Sequence, residues 1–75
     1  MNQKQHRTER LNKIRAVVEL CGGVDMVAFA LKIGKPAIFA WYRNGIPATH
    51  APKLSDLTKG KFSVDEITRE MGAKA

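Results

Sequence analysis

The sequence predicts an all-α fold built from five short helices. Three observations carry this. Apolar residues recur at helical spacing in successive short segments, glycines and prolines punctuate the segment ends, and no alternating apolar–polar run is long enough for a sheet. The chain has 75 residues and reads as one domain. A chain this short buries only about 60% of the surface its unfolded form exposes, so its core is small.

Leu11, Ile14, Val17, Val18 and Cys21 follow helical spacing, with Arg10, Lys13 and Arg15 on other faces. Thr8 is placed to cap this first helix. Gly22-Gly23 stops it, because glycine accepts the left-handed conformation that follows a helix end. Val24–Leu31 forms a second helix with Val27, Ala28 and Leu31 inward. Its Asp25 lies in the first turn, where the helix dipole favours negative charge. After a turn at Lys32-Ile33-Gly34, a third helix runs from Lys35 to about Arg43. Pro36 suits its first turn, where a missing N–H costs nothing. Asn44-Gly45 terminates it, and Ile46-Pro47 leads away extended.

Ala48–Thr58 reads as a fourth helix with Leu54 and Leu57 inward. Pro52 leaves two arrangements open: Thr49 caps the helix with Pro52 in its first turn, or the helix starts near Pro47 and bends. Lys59-Gly60 ends it. Ser63-Val64-Asp65-Glu66 is a capping box for a fifth helix, from Val64 to about Met71, closed by Gly72. Lys61–Ser63 is also compatible with an extended conformation. The organisation is a basic N-terminal arm or helix extension over 1–10, a single domain over 11–72 and a tail over 73–75.

Composition narrows the function. The chain is 44% hydrophobic and 27% charged, ordinary for a globular protein. A lone cysteine, Cys21, excludes a small secreted fold stapled by internal disulfides and points to a reducing cytosol. The longest apolar runs, Met26–Leu31 and Ala37–Tyr42, are far below the ~20 residues that span a bilayer. Asn2–Arg10 is too polar for a signal peptide, so the expected location is the cytoplasm. Net charge is +6, and 11 of the 13 Lys and Arg fall within residues 1–61. A basic body suits a polyanion such as nucleic acid, although charge of this size also serves solubility. Catalysis is not expected. Cys21 lies on an apolar stripe, and His6 and His50 have no nucleophile or metal ligand at useful spacing. No cofactor, small-molecule ligand or membrane is implied.

The segment 24–43 meets the demands of a helix-turn-helix. Ala28 supplies the small residue where the second helix crosses the first, Ile33 the buried apolar residue of the turn, and Ile38 and Trp41 an inward pair. At Val24–Trp41, VDMVAFALKIGKPAIFAW, the sequence is similar to the helix-turn-helix of small phage Cro and repressor proteins and their YdaS-type relatives. The surroundings fit too: Gly22-Gly23 before the motif, Ile46-Pro47-Ala48 leading into a helix, and Thr58-Lys59-Gly60 after it. The resemblance covers roughly residues 14–67 and implies a five-helix, lambda-repressor-like DNA-binding domain. Two positions depart from the pattern. Lys32 stands where the turn usually has glycine, which asks a lysine to adopt a left-handed conformation at modest cost. Gly34 stands where the next helix usually has a serine or threonine cap. Both suggest a slightly loose turn.

The resemblance implies that the helix from Lys35 reads the major groove through Lys35, Pro36, Phe39, Ala40 and Arg43. Lys35 can donate to guanine O6 or N7 or to a phosphate, and Arg43 suits a phosphate or a guanine. Pro36, Phe39 and Ala40 offer only apolar contact, such as a thymine methyl. Lys32 in the turn joins the DNA-facing set. The basic residues Lys4, Arg7, Arg10, Lys13 and Arg15 form either a solvated face or a phosphate and minor-groove contact, and Arg7 and Arg10 are assigned to the latter. Phe29 and Phe39 fall on faces a monomer leaves wet, or else belong to the core. If exposed, Phe29 is assigned to a contact between subunits. The expectation is a Cro-like repressor that occludes a pseudo-palindromic operator on double-stranded DNA as a homodimer. The alternatives are an excisionase-like or antitoxin-type DNA-binding factor, or a protein-interaction module using Phe29, Phe39 and Tyr42.

Overall fold

The apolar stripe of the first helix is the spine on which the rest assembles. In the computed structural model, which describes residues 2–73 and side chains from Thr8 to Ala73, the helices are α1 (Asn2–Leu20), α2 (Val24–Leu31), α3 (Lys35–Asn44), α4 (Ala51–Leu57) and α5 (Val64–Met71). Helix α1 packs against α2, α3 and α5, while α3 also meets α2 and α4 meets α5. Ile14, Val17, Val18 and Cys21 of α1 are buried with Val27, Ile38, Trp41, Ile46, Ala51, Leu54, Ile67 and Met71. Ala28, Leu31, Ile33 and Leu57 are half-buried and complete this single core. The expected all-α, five-helix architecture is the observed one.

The chain differs from its sequence reading in two places. Helix α1 begins at Asn2, so Thr8 lies inside the helix and is not its cap. Residues 2–10 are thus a helical extension, favoured because no glycine or proline interrupts them. The fourth helix combines the two arrangements left open. A 3-10 turn, Ala48–His50, follows Pro47 directly, and α4 then starts with Pro52 in its first turn. His50, not Thr49, precedes α4, and no side chain caps it. Ser63, before α5, is extended as the sequence allows (φ −78°, ψ 162°), and the one bridge among the described residues is a parallel contact of Ile46 with Gly72.

Local chemistry explains the ends. Lys32 takes the left-handed conformation (φ 59°), and the Ile33 N–H then donates to the Ala28 carbonyl at 3.1 Å. Satisfying these last carbonyls offsets the cost of a non-glycine residue there. Gly34 leaves α3 without a side-chain cap. The capping box of α5 is complete: Glu66 N–H donates to Ser63 Oγ at 3.0 Å and Ser63 N–H to Glu66 Oε1 at 3.2 Å. Thr58, the one buried polar side chain among the described residues, donates to the Ser55 carbonyl and accepts from the Phe62 N–H, which fixes the α4–α5 connection.

After α3 the backbone is clamped by the far end of the chain. Ile46 N–H donates to the Met71 carbonyl at 2.7 Å, and Ala73 N–H donates to the Ile46 carbonyl at 2.9 Å. Gly45 (φ 96°) makes room for this: a Cβ there would come within 2.7 Å of the Ala73 backbone. Gly72 has ordinary dihedrals, and what excludes a larger residue is the Thr68 carbonyl beside it. No described helix is long and apolar enough to cross a membrane.

Two outcomes test this core. Trp41→Ala removes a buried indole and is expected to cost roughly 3–5 kcal/mol in denaturant unfolding followed by circular dichroism, enough to unfold much of so small a domain. The Lys13 ammonium, 2.6 Å from Glu70, hydrogen-bonds that carboxylate and holds its pKa below the ordinary value. A carboxyl with a depressed folded-state pKa contributes stability above its unfolded value and loses it as pH falls through the folded one. Unfolding midpoints of wild type and Glu70→Gln should therefore differ at neutral pH and converge in acid below the usual carboxylate range. Equal gaps at both pH values would remove the α1–α5 ion pair from the stability of the fold.

Candidate nucleic-acid interface

Burial of Ile38 and Trp41 fixes the rotational phase of α3, and the phase decides which side chains face out. Lys35, Pro36, Phe39 and Arg43 are exposed, and Ala40 is half-buried on the flank of this face. Phe39 is 52% exposed, so it is a surface residue and no part of the core. Phe29 on α2 is 82% exposed, beside a half-exposed Met26. Lys32 is exposed at the turn between α2 and α3.

Each end of α3 is held by a charged group from another helix. At its start, Lys35 Nζ lies 2.6 Å from the Asp25 carboxylate of α2. At its end, the Arg10 guanidinium of α1 donates to the Arg43 main-chain carbonyl at 2.8 Å. A cation at a helix C-terminus is favourable, because the last carbonyls carry partial negative charge. Arg10 is therefore a docked, half-buried residue and not part of a free arm. Its guanidinium carries five N–H donors, so the contact with Arg43 leaves others for an anion. The Arg7 side chain lies outside the described residues. Lys13 is turned elsewhere, onto Glu70 of α5.

Arg15, one of the basic residues read as a solvated face or a phosphate contact, and Tyr42 adjoin this face. Arg15 on α1 sits 5.9 Å from the centroid of the Tyr42 ring, and Tyr42 in turn meets Phe39 at 6.4 Å between centroids, tilted by 44°. A cation at that distance is attracted to the ring face. Arg15, Tyr42 and Phe39 thus form a continuous line from α1 onto the outward face of α3. Only the packing of α1 on α3 brings Arg15 there, and a linear sequence carries no signal of it.

Chemically, the face offers ammonium and guanidinium donors at both ends of a helix with apolar rings between them. That combination suits phosphates, base edges and thymine methyls. Cys21 does not contribute: its sulfur lies 3.9 Å from the Leu54 carbonyl, and burial pushes its thiol pKa up, away from nucleophilic use. Among the described residues no group of three His, Cys, Asp or Glu is placed to hold a metal ion.

Because Phe39 is exposed, Phe39→Ala should leave the thermal unfolding midpoint nearly unchanged, in contrast to Trp41→Ala. A loss comparable with that of Trp41→Ala would make Phe39 a core residue.

Residues 14–73 match the family model described as bacterial toxin YdaS. Comparison with curated proteins and with solved structures gives no match.

Proposed function

The chain belongs to the bacterial toxin YdaS family, and on that premise we propose that it is a sequence-specific DNA-binding regulator of the Cro-like repressor type. The observation that carries this reading is the outward face of α3. Lys35, Pro36, Phe39 and Arg43 are turned to solvent by the buried Ile38–Trp41 pair, with Lys32, Arg10 and Arg15 around its margins. Placed in a major groove, Lys35 donates to guanine or phosphate and Phe39 covers a thymine methyl. Ala40 is brought close to the bases, and Arg43 meets the backbone. Arg10, Arg15 and Lys32 reach flanking phosphates. Arg7, on the N-terminal extension of α1, is assigned to the same backbone.

One recognition helix reads too few base pairs to single out a site, so the acting unit is a two-fold homodimer on a pseudo-palindromic operator. Its half-site centres lie about 34 Å apart. The exposed Phe29 supports contact between subunits on the α2 side. Regulation is by occlusion, without cofactor, catalysis or small-molecule ligand, in the bacterial cytoplasm at the nucleoid. The family's description as a toxin favours a related second reading, in which the same DNA occlusion arrests growth and a partner protein relieves it.

Salt-dependent binding to duplexes selected from a random library tests the assignment. Arg43→Ala should weaken all sequences alike and lower the salt slope by about one unit. Phe39→Ala should leave the slope unchanged and abolish the preference for one thymine per half-site. Replacing that thymine by uracil should cost the native protein affinity and cost Phe39→Ala almost none. Salt-insensitive association would instead favour an apolar protein-interaction module. If growth arrest on overproduction runs through DNA, Arg43→Ala should relieve it at equal protein level.

A further inference from the structure

The leading edge of α3 is occupied. Lys35 is the first residue of that helix, and its ammonium contacts Asp25 at 2.6 Å while both side chains remain open to water, 57% and 83% exposed. An ion pair so exposed contributes little to stability. Its position is what matters. From Leu20 to Ser55 the chain has no acidic residue except Asp25, against Lys32, Lys35, Arg43 and Lys53. The one negative charge in the whole helix-turn-helix thus sits on the cation that leads the outward face.

We infer that Asp25 is a specificity-determining residue, whose carboxylate holds Lys35 away from phosphates and leaves it competent to donate to a base. The inference rests on the DNA-binding reading above. An ammonium has three N–H donors. One donated to Asp25 leaves two, enough for the neutral acceptors O6 or N7 of guanine. A phosphate is different. To neutralise one, Lys35 must either abandon Asp25 or carry its carboxylate against a second anion. The Asp25–Lys35 pair has no net charge, so on random DNA it displaces no counterion, and counterion release is the main source of sequence-independent affinity. Asp25 thereby acts as the repulsive element that specificity requires, lowering affinity for wrong sequences more than for the right one.

The test is a salt titration on a random-sequence duplex and on a library-selected duplex, using wild type, Asp25→Asn, Lys35→Met and the double variant. Asp25→Asn should bind the random duplex roughly three- to tenfold tighter near 0.1 M salt, with a slope steeper by about one unit. Affinity for the selected duplex should rise less, so the ratio between the two falls. In the Lys35→Met background the same substitution should lose most of this gain and the whole change in slope. A change of Asp25 that merely altered helix stability would move neither slope, and Asp25→Ser, which keeps a polar residue in the first turn of α2, should repeat the direction. An undiminished gain in the Lys35→Met background would mean a general field effect and overturn the inference. So would unchanged binding by Asp25→Asn while the wild type binds duplex with normal salt dependence. Absence of salt-dependent duplex binding by the wild type would instead overturn the DNA-binding reading, and this inference with it.

Discussion

The side chains of Ile38 and Trp41 set the geometry of everything exposed on α3. They lie three positions apart, on one face of a ten-residue helix, and both are buried against the core. Their removal from water decides the rotation of the helix about its axis, because any other phase would bury Arg43 or Lys35 unpaired. Trp41 also meets the His50 ring at 5.7 Å between centroids, which ties α3 to the turn that leads into α4. The outward face is thus a consequence of the inward one.

Charge and backbone contacts then hold the two ends of that helix. Arg10 reaches the Arg43 carbonyl from α1, and Asp25 reaches Lys35 from α2. Just beyond α3, Ile46 is clamped to the segment that follows α5 through the Met71 carbonyl and the Ala73 N–H. A short helix without a side-chain cap at its start is marginal alone. The Arg10 contact and the backbone clamp supply the positioning that its own sequence lacks, while the exposed Asp25–Lys35 pair adds little.

The left-handed lysine of the turn illustrates how a local departure is absorbed. Lys32 (φ 59°) accepts a positive φ at a helix end, as Gly22 does after α1 (φ 109°), and Lys59 does so again after α4 (φ 57°). In each case the following residues return N–H groups to the last carbonyls of the helix: Gly23 to Val18, Ile33 to Ala28, and Gly60 to Ser55. The repeated hydrogen-bond pattern, not the residue type, closes these helices.

The number of helices, the ends of α2, the start and end of α5, and the core positions Ile14, Val27, Ile38, Trp41 and Leu54 were legible in the sequence. They depend on spacing and capping, which act within a few residues. The outward placement of Lys35, Pro36, Phe39 and Arg43 was implied by the family resemblance, and between surface and core Phe39 was left open until its 52% exposure placed it outside. What spacing does not encode is which distant groups meet. The docking of Arg10 on the end of α3, the line from Arg15 to Tyr42, the pairing of Asp25 with Lys35 and the clamp between Gly45-Ile46 and Gly72-Ala73 were decided by tertiary structure alone. Each joins residues from separate elements. Their approach depends on how whole helices pack, because burial of the shared core sets those distances and local preference does not.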